Sequence, residues 1–214
     1  MKRRTLDILF SAGGFGIASL LLVLGLVMTS NGNFAGNYVH RQLAEQKISF
    51  PPADKLSKEE LASSCVAANA GKAIVSGKQA ECYANDFIGL HIKGIADGKT
   101  YAELGAVQSG LKAQLAAATG SSAAGLQKQL EAVTGQRETL FKGETLRGLL
   151  LTSYGFSTFG VKADQAATVA FGAAAIMALL SAFGLWHAMH TASTEAFAPV
   201  PTPKRARRTR PAAA

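Results

Sequence analysis

The sequence contains few charged residues and none of the common catalytic motifs. Charged residues make up 17% of the 214 residues, and two long apolar runs contain none at all. An ion pump needs ionisable groups inside its membrane spans, so this absence argues against one. The glycine-containing stretches GGFG and GKAIVSGK lack the strand-to-helix context and the terminal Lys-Ser/Thr pattern of phosphate-binding loops. Nucleophile elbows and dinucleotide fingerprints are absent too, and we expect no catalytic residue.

Cysteine and histidine are too few and too scattered to form a recognisable metal site. Structural zinc needs four ligands in close local pairs, and neither Cys65 nor Cys82 has a neighbouring cysteine or histidine. His187 and His190 are close together at the end of an apolar run, with Glu195 nearby, but the pattern fixes no third ligand. We therefore predict no bound metal and no cofactor.

The sequence does contain two uncharged runs that are long enough to span a membrane. Residues 8–28 and 166–186 are each about 21 residues long, or about 31 Å as a helix. This length matches a hydrocarbon core of about 30 Å. The first run exceeds the roughly 7–15 apolar residues of a cleaved signal peptide. We therefore predict an uncleaved signal anchor and a second transmembrane helix.

Both ends of the chain are basic. Lys2, Arg3 and Arg4 precede the first run, and a basic cluster follows the second. Basic residues beside a span stay in the cytoplasm, so residues 1–7 and 187–214 are predicted to be cytoplasmic parts of a two-pass protein of the cell membrane. The proline- and arginine-rich tail should be disordered and should bind anionic lipid rather than nucleic acid. The basic residues of the tail are Lys204, Arg205, Arg207, Arg208 and Arg210.

The predicted fold class is mainly α, with two transmembrane helices flanking a helical extracytoplasmic domain at residues 31–165. In that compartment disulfides persist, so Cys65 and Cys82 are expected to pair. Capping boxes at residues 57–60 and 100–103 indicate helix starts. Apolar residues at steps of three and four on either side of TGSSAAG, residues 119–125, predict a helical hairpin at about 101–141.

The stretch LRGLLLTSYGFSTFG follows this hairpin. Its uncharged part is about 14 residues long, which is too short to cross a bilayer, and its aromatic side chains favour headgroup depth. We predict a membrane-proximal helix at about 146–159, with turns at Gly155 and Gly160. Its apolar face either packs under the extracytoplasmic domain or is a docking or lipid-binding surface. The candidate docking residues are Leu146, Leu149, Leu150, Tyr154, Phe156 and Phe159.

Small residues recur along both predicted spans. In the first span Gly14 and Ala18 lie on one side, and in the second an alanine occurs at every fourth position. Small residues let helix backbones approach closely in lipid. The two spans are therefore predicted to pack as a hairpin, or the alanine stripe to dock another membrane protein or a second copy of the chain. The stripe consists of Ala166, Ala170, Ala174, Ala178 and Ala182.

Three segments of the sequence resemble a family of uncharacterised actinobacterial two-span membrane proteins. The segments are MKRRTLDILFSAGG, GKQAECYANDFIGLHIKGIADGKTYAELG and VTGQRETLFKGETLRGLLLTSYGFSTFGVKADQAA, and the resemblance covers most of the chain except the tail. Members of that family sometimes carry the label aromatic ring-opening dioxygenase. That chemistry needs two histidines and a carboxylate on one iron, whereas the predicted topology puts His40 and His91 outside and His187 and His190 inside.

We therefore expect a non-enzymatic integral membrane protein that acts as an envelope scaffold or as an accessory subunit of a membrane complex. Its expected partners are the lipid bilayer and either another membrane protein or a second copy of itself. Two alternatives stay open from the sequence. One is a metal-dependent membrane enzyme, and the other is a sensor that transmits an outside signal to the basic tail.

Overall fold

The computed structural model describes residues 2–192 and Glu195, and this part of the chain is mainly helical with no β-strand. The basic cluster of the tail lies outside the described residues. A π-helix at Tyr83–Ile88 and short 3-10 helices at Ala53–Lys55 and Ile95–Gly98 connect the α-helices. The α-helices are α1 (Arg3–Gln46), α2 (Lys58–Leu61), α3 (Ser64–Asn69), α4 (Gly77–Cys82), α5 (Gly89–Gly94), α6 (Tyr101–Ala117) and α7 (Gly120–His190).

The chain divides into two compact units. Among the described residues, the terminal unit consists of the chain up to Leu26 and from Thr168 onward, and the central unit consists of Val27–Ala167. Helices α1 and α7 contribute residues to both units. These two helices are also long and apolar enough to cross a membrane, as the two uncharged runs of the sequence predict.

In the terminal unit, α1 and α7 pack antiparallel through small residues. Ser11, Gly14 and Gly25 are buried on α1 at spacings that follow a heptad-like pattern. A Cβ added at Gly14 would collide with Ser181, and one added at Gly184 would lie 2.6 Å from the Ser11 Oγ. The absence of side chains at these glycines therefore allows the close approach of the two helices.

The alanine stripe of α7 is only partly covered. Ala170 and Ala174 are buried and Ala178 is half-buried, whereas Ala166 and Ala182 are exposed. The reason is helical geometry, because a step of four residues overshoots one turn by about 40°. Positions that alternate steps of three and four keep facing a neighbour instead. The buried positions of α7 in the terminal unit include Ala170, Ala174, Ser181 and Ala188.

In the central unit, a hydrophobic core forms between α1, α7 and the short helices that carry the cysteines. Val39 and Leu43 from α1 and Leu150 from α7 pack in this core with residues such as Phe50 and Val66. Helix α1 ends at Gln46 because Lys47 adopts a left-handed φ of 54°, so Pro51 and Pro52 lie beyond the helix end. The chain returns past Phe50, whose N–H donates to the Lys72 carbonyl at 2.9 Å.

Both predicted capping boxes are present in the central unit. Ser57 caps α2 and Thr100 caps α6, and in each case a glutamate three residues later accepts from the cap backbone N–H. Because the reciprocal hydrogen bonds satisfy donors that the helix itself cannot, these residues set where the two helices begin. Local sequence therefore fixes the start of α6, which leads into the hairpin with α7.

Helix α7 passes without a break through residues 146–159. The loop before it is shorter than predicted, since α6 ends at Ala117 and α7 begins at Gly120. The predicted turns at Gly155 and Gly160 are wrong, because both residues are helical. At Gly160 the glycine serves close packing, since a Cβ there would lie 2.9 Å from the Ala35 Cβ.

Candidate functional site

Residues 146–156 of α7 and the C-terminal part of α1 enclose an apolar groove of about 420 Å³ in the central unit. This volume falls within the range of about 300–1,000 Å³ that is typical of ligand-binding clefts. Four of the predicted docking residues line the groove, which makes this cleft the best candidate for a binding site. The lining residues are Tyr38, Val39, Gln42, Leu43, Gln46, Ile48, Leu146, Leu149, Leu150, Thr152, Ser153 and Phe156.

Helical periodicity separates the floor of the groove from its walls. Val39, Leu43 and Leu150 are buried and belong to the core, so they form a fixed floor. Leu149 is 63% exposed and Tyr38 is 44% exposed on the two sides. Large apolar side chains that stay exposed beside a packed floor are typical of surfaces that bind a partner.

An aromatic cluster lies at one end of the groove. The Phe34 and Tyr38 rings of α1 stack at 5.8 Å, and Phe156 of α7 packs edge-on against both, at 6.4 and 5.7 Å. Such offset and edge-to-face pairs stabilise an aromatic cluster beyond its area of burial. Phe34 follows the predicted end of the first span, Met28, by about six residues, or about 9 Å of helix. The aromatic end is therefore the end nearer to the predicted span.

Polar groups at the groove are uncharged. The Thr152 and Ser153 hydroxyls donate to carbonyls of their own helix at 2.9 and 3.2 Å, so they offer little to a ligand. The Gln42 and Gln46 amides make no hydrogen bond to another described residue, which leaves them available to a bound molecule. A groove without charge selects an apolar partner with a few amide or hydroxyl contacts over an ionic substrate.

Two of the predicted docking residues lie outside the groove. The Tyr154 hydroxyl is 3.5 Å from the Lys78 Nζ, which also lies 4.9 Å from the centre of the Tyr154 ring. Phe159 is 75% exposed and does not line the groove. The α1 side of the groove was missed from the sequence, although Tyr38, Gln42 and Gln46 recur at steps of four, which is the spacing of one helix face.

Cys65 and Cys82 lie at disulfide distance, with their Cα atoms 6.1 Å apart. The Asp86 Oδ2 is 3.0 Å from the Cys65 Sγ and accepts a hydrogen bond from the Ser63 hydroxyl at 3.0 Å. Cys65, Cys82 and Asp86 bring their potential ligand atoms within 4.8 Å of one another. A thiolate is the cysteine form that binds metal, so these two sulfurs could serve as metal ligands only if they are not bonded to each other.

The histidines of the described chain have separate partners. His187 Nδ1 is 3.0 Å from the Asp7 Oδ2, whereas His190 Nδ1 is 2.8 Å from the carbonyl of Trp186 on its own helix. In the central unit, His40 and His91 contact different groups, the Val75 carbonyl and the Glu60 carboxylate. Within residues 2–192 no histidine belongs to a group of three potential metal ligands.

Glu60 is a buried carboxylate with a structural explanation. The Ser57 backbone N–H donates to Glu60 Oε2 at 2.5 Å, and this hydrogen bond, aided by the Ser57 hydroxyl and by His91, lowers the pKa of Glu60 below its ordinary value of 4.5. A carboxylate held ionised by a capping box stabilises the helix start. Glu60 therefore does not point to acid–base chemistry.

Comparison of the chain with protein-family models, with curated proteins and with solved structures gives no significant match. The molecule is therefore defined by its own features. It is a mainly helical protein with two helices able to cross a membrane, a disulfide-distance cysteine pair and an apolar groove in its central unit.

Proposed function

We propose that the protein is a non-enzymatic two-span membrane protein that acts by binding, as an accessory subunit or scaffold of a membrane complex in the cell envelope. In this proposal both termini are cytoplasmic and the central unit is extracytoplasmic. The basic residues beside the spans support this orientation. The disulfide-distance pair in the central unit supports it too, because disulfides persist outside the cytoplasm.

The exposure of the apolar helices supports membrane insertion. Only 22% of the most apolar window in each of α1 and α7 is buried, and side chains such as Phe10 and Leu20 are 77% and 72% exposed. The core helix of a soluble protein would bury most of these side chains. Each square ångström of apolar surface left in water costs about 25 cal/mol, so this surface is much more stable in lipid.

The groove carries the functional part of the proposal, and its occupant is taken to be an apolar helix of a partner membrane protein. An apolar helix presents side chains at steps of three and four, and these fit a hydrophobic groove between two helices. The exposed Leu149 and Tyr38 would cover such a helix from both sides. Gln42 and Gln46 would supply its polar contacts. The position of the aromatic end, close to the predicted first span, favours a segment that itself emerges from the bilayer.

Site-specific photocrosslinking in native membranes tests this proposal. A photoreactive amino acid at Leu149 should give one protein adduct of defined mass, and the same amino acid at Leu90 should not, because Leu90 is an exposed leucine of α5 outside the groove. Leu149→Gln should reduce recovery of the same partner on gentle extraction, whereas Leu90→Gln should leave it unchanged.

The outcomes of this experiment separate the possible occupants of the groove. Equal adducts at Leu149 and Leu90, or no adduct at either position, would contradict the proposal. An adduct of lipid mass would identify the groove as an acyl-chain site instead, and an adduct of twice the chain mass would identify a second copy of the protein.

A further inference from the structure

A second cavity of the central unit differs from the groove in its electrostatic character. It has a volume of about 440 Å³ and lies between α5, the 3-10 helix that follows it, the start of α6 and α7. Three cations line it, against a single carboxylate. The lining residues are Asn85, Gly89, Ile92, Lys93, Gly98, Lys99, Thr100, Tyr101, Leu140, Glu144 and Arg147.

Arg147 is the central polar group of this cavity. One of its terminal nitrogens, Nη1, is 3.1 Å from the Glu144 Oε2, and the other, Nη2, is 3.5 Å from the Asn85 Oδ1. Its Nε is buried and has no hydrogen-bond partner among the described residues. A buried donor without an acceptor is unfavourable. The side chain as a whole is 34% exposed, so an oxyanion in the cavity would meet its terminal nitrogens, whose charge-assisted hydrogen bonds are stronger than neutral ones.

Arg137 shows why the unpartnered nitrogen of Arg147 is informative. Its Nε is also buried without a hydrogen-bond partner. However, the Arg137 guanidinium lies 4.2 Å from the centre of the Tyr101 ring. Its Nη1 also donates to the Gln108 Oε1 at 2.5 Å. Stacking on an aromatic face accounts for the buried position of Arg137. Arg147 stacks on no described ring, so stacking does not account for its position beside the cavity.

Two lysines stand with Arg147 around the same cavity. Neither Lys93 nor Lys99 forms a salt bridge with a described carboxylate. Lys99 interacts electrostatically with Glu103, but the Glu103 carboxylate accepts its hydrogen bond from the Thr100 N–H instead. Ala96, Asp97 and Gly98 all have positive φ, at 54°, 54° and 77°. These left-handed residues lie between Lys93 and Lys99, and both lysines line the cavity.

The lining of the cavity also includes apolar side chains. These are Ile92, Tyr101 and the fully buried Leu140. A cavity lined by both cationic and apolar groups matches a small organic anion with an apolar body. It suits a bare inorganic ion less well, because such an ion would leave the apolar side chains without contact.

The position of Arg147 favours a soluble ligand over a lipid headgroup. Arg147 precedes the predicted start of the second span, Ala166, by about 19 residues, or about 28 Å of helix. The headgroup layer is only about 5–8 Å deep on each side of the hydrocarbon core. The cavity therefore opens far from the predicted membrane surface.

We propose that this cavity is a binding site for a small, water-soluble organic phosphate or carboxylate, held by Arg147, Lys93 and Lys99. Arg147 contributes charge-assisted hydrogen bonds from its terminal nitrogens, the two lysines neutralise the charge of the anion, and Tyr101 and Leu140 contact its apolar body. This inference does not depend on the occupant of the apolar groove, because the two cavities share no lining residue.

Binding of phenyl phosphate to the full-length protein in nanodiscs of zwitterionic lipid tests the proposal. Isothermal titration should give saturable binding, and inorganic phosphate should compete at a concentration at least tenfold higher. Arg147→Lys keeps the charge but loses the planar pair of donors, so it should weaken binding at least tenfold. Lys93→Gln should weaken it roughly threefold to tenfold. Lys128→Gln, the same charge change on an exposed residue outside the cavity, should leave the affinity unchanged.

Three results would overturn the proposed anion site. Absence of saturable binding, equal affinity in wild type and Arg147→Lys, or an equal loss in Lys93→Gln and Lys128→Gln would each exclude the site. Competition by anionic lipid added to the nanodiscs would exclude the assignment to a soluble ligand. Circular dichroism melting without ligand checks that each variant is folded. If Arg147→Lys fails to fold, the double variant Lys93→Gln/Lys99→Gln takes its place with the same expected loss.

Discussion

Removal of the Cys65–Cys82 disulfide is expected to lower the free energy of unfolding of the central unit by about 3 kcal/mol. The bond closes a loop in which the cysteines are 17 positions apart. In the chain-entropy description, a loop of this size restricts the unfolded chain by about 3 kcal/mol at 25 °C. Alanine is the suitable replacement, because Cys82 is buried and a serine hydroxyl there would need a hydrogen-bond partner.

The expected change in melting temperature follows from the size of the central unit. Residues 27–167 form a unit of roughly 140 residues, for which the entropy of unfolding is about 0.3 kcal/mol/K. A loss of about 3 kcal/mol therefore lowers the melting temperature by about 10 °C. This shift is large compared with the error of a thermal melt followed by circular dichroism in detergent.

A double-mutant cycle separates loop closure from side-chain packing. Either Cys65→Ala or Cys82→Ala alone opens the loop completely, so each single variant should lose about as much stability as the double variant. Non-additivity of about 3 kcal/mol is the expected signature. Reduction of the wild-type protein should reproduce the loss, while the double variant should not respond to reductant.

Two results would refute this reasoning. If the single losses add up in the double variant, the cysteines contribute by packing and the loop is not closed in the folded protein. If the wild-type cysteines react with a membrane-impermeant thiol reagent in intact cells without prior reduction, they are not bonded to each other. Labelling only after reduction would show a bonded pair outside the cytoplasm, and labelling only after lysis would contradict the extracytoplasmic orientation.

Three further substitutions test contacts inside each of the two units. Leu140→Ala removes a side chain that is 1% exposed, and chemical denaturation should show a loss of about 2–5 kcal/mol; a loss below 1 kcal/mol would contradict its position in the core. The pKa of Glu60 is lowered in the folded state, so the wild type should lose stability as the pH falls below about 4.5, and Glu60→Gln should flatten that part of the pH profile; an unchanged profile would contradict it. Gly25→Leu would drive a Cβ to 2.6 Å from the Phe171 ring, so thermal melts should show destabilisation, whereas Gly16→Leu, with open space around it, should be neutral; equal effects would contradict the packing of α1 on α7.

Features encoded by neighbouring residues could be predicted from the sequence. The capping boxes that begin α2 and α6 depend on residues three positions apart, so a short pattern contains both partners. The two apolar helices follow from composition and length alone. The cysteine pair could be predicted because only two cysteines exist, which leaves a single possible pairing.

Features that need contacts between distant segments were missed. The groove requires α1 residues such as Tyr38 beside α7 residues such as Phe156, and no local pattern links them. Glycine is common in turns, so the sequence predicts turns at Gly155 and Gly160, whereas both are helical. At Gly160 the packing of Ala35 explains the glycine instead, and that neighbour is more than a hundred positions away in the sequence.

The two proposed sites can succeed or fail separately because their lining residues differ. Residues two apart on a helix point about 200° from each other, and this is the relation between Arg147 and Leu149. Leu149 therefore lies on the wall of the apolar groove, while Arg147 reaches the cationic cavity. Leu149 and Arg147 point apart and line different cavities, so the effects of substituting them should add if they share no partner. Loss of the groove partner in Leu149→Gln with unchanged anion affinity would support two independent sites, whereas joint loss would point to a general weakening of α7.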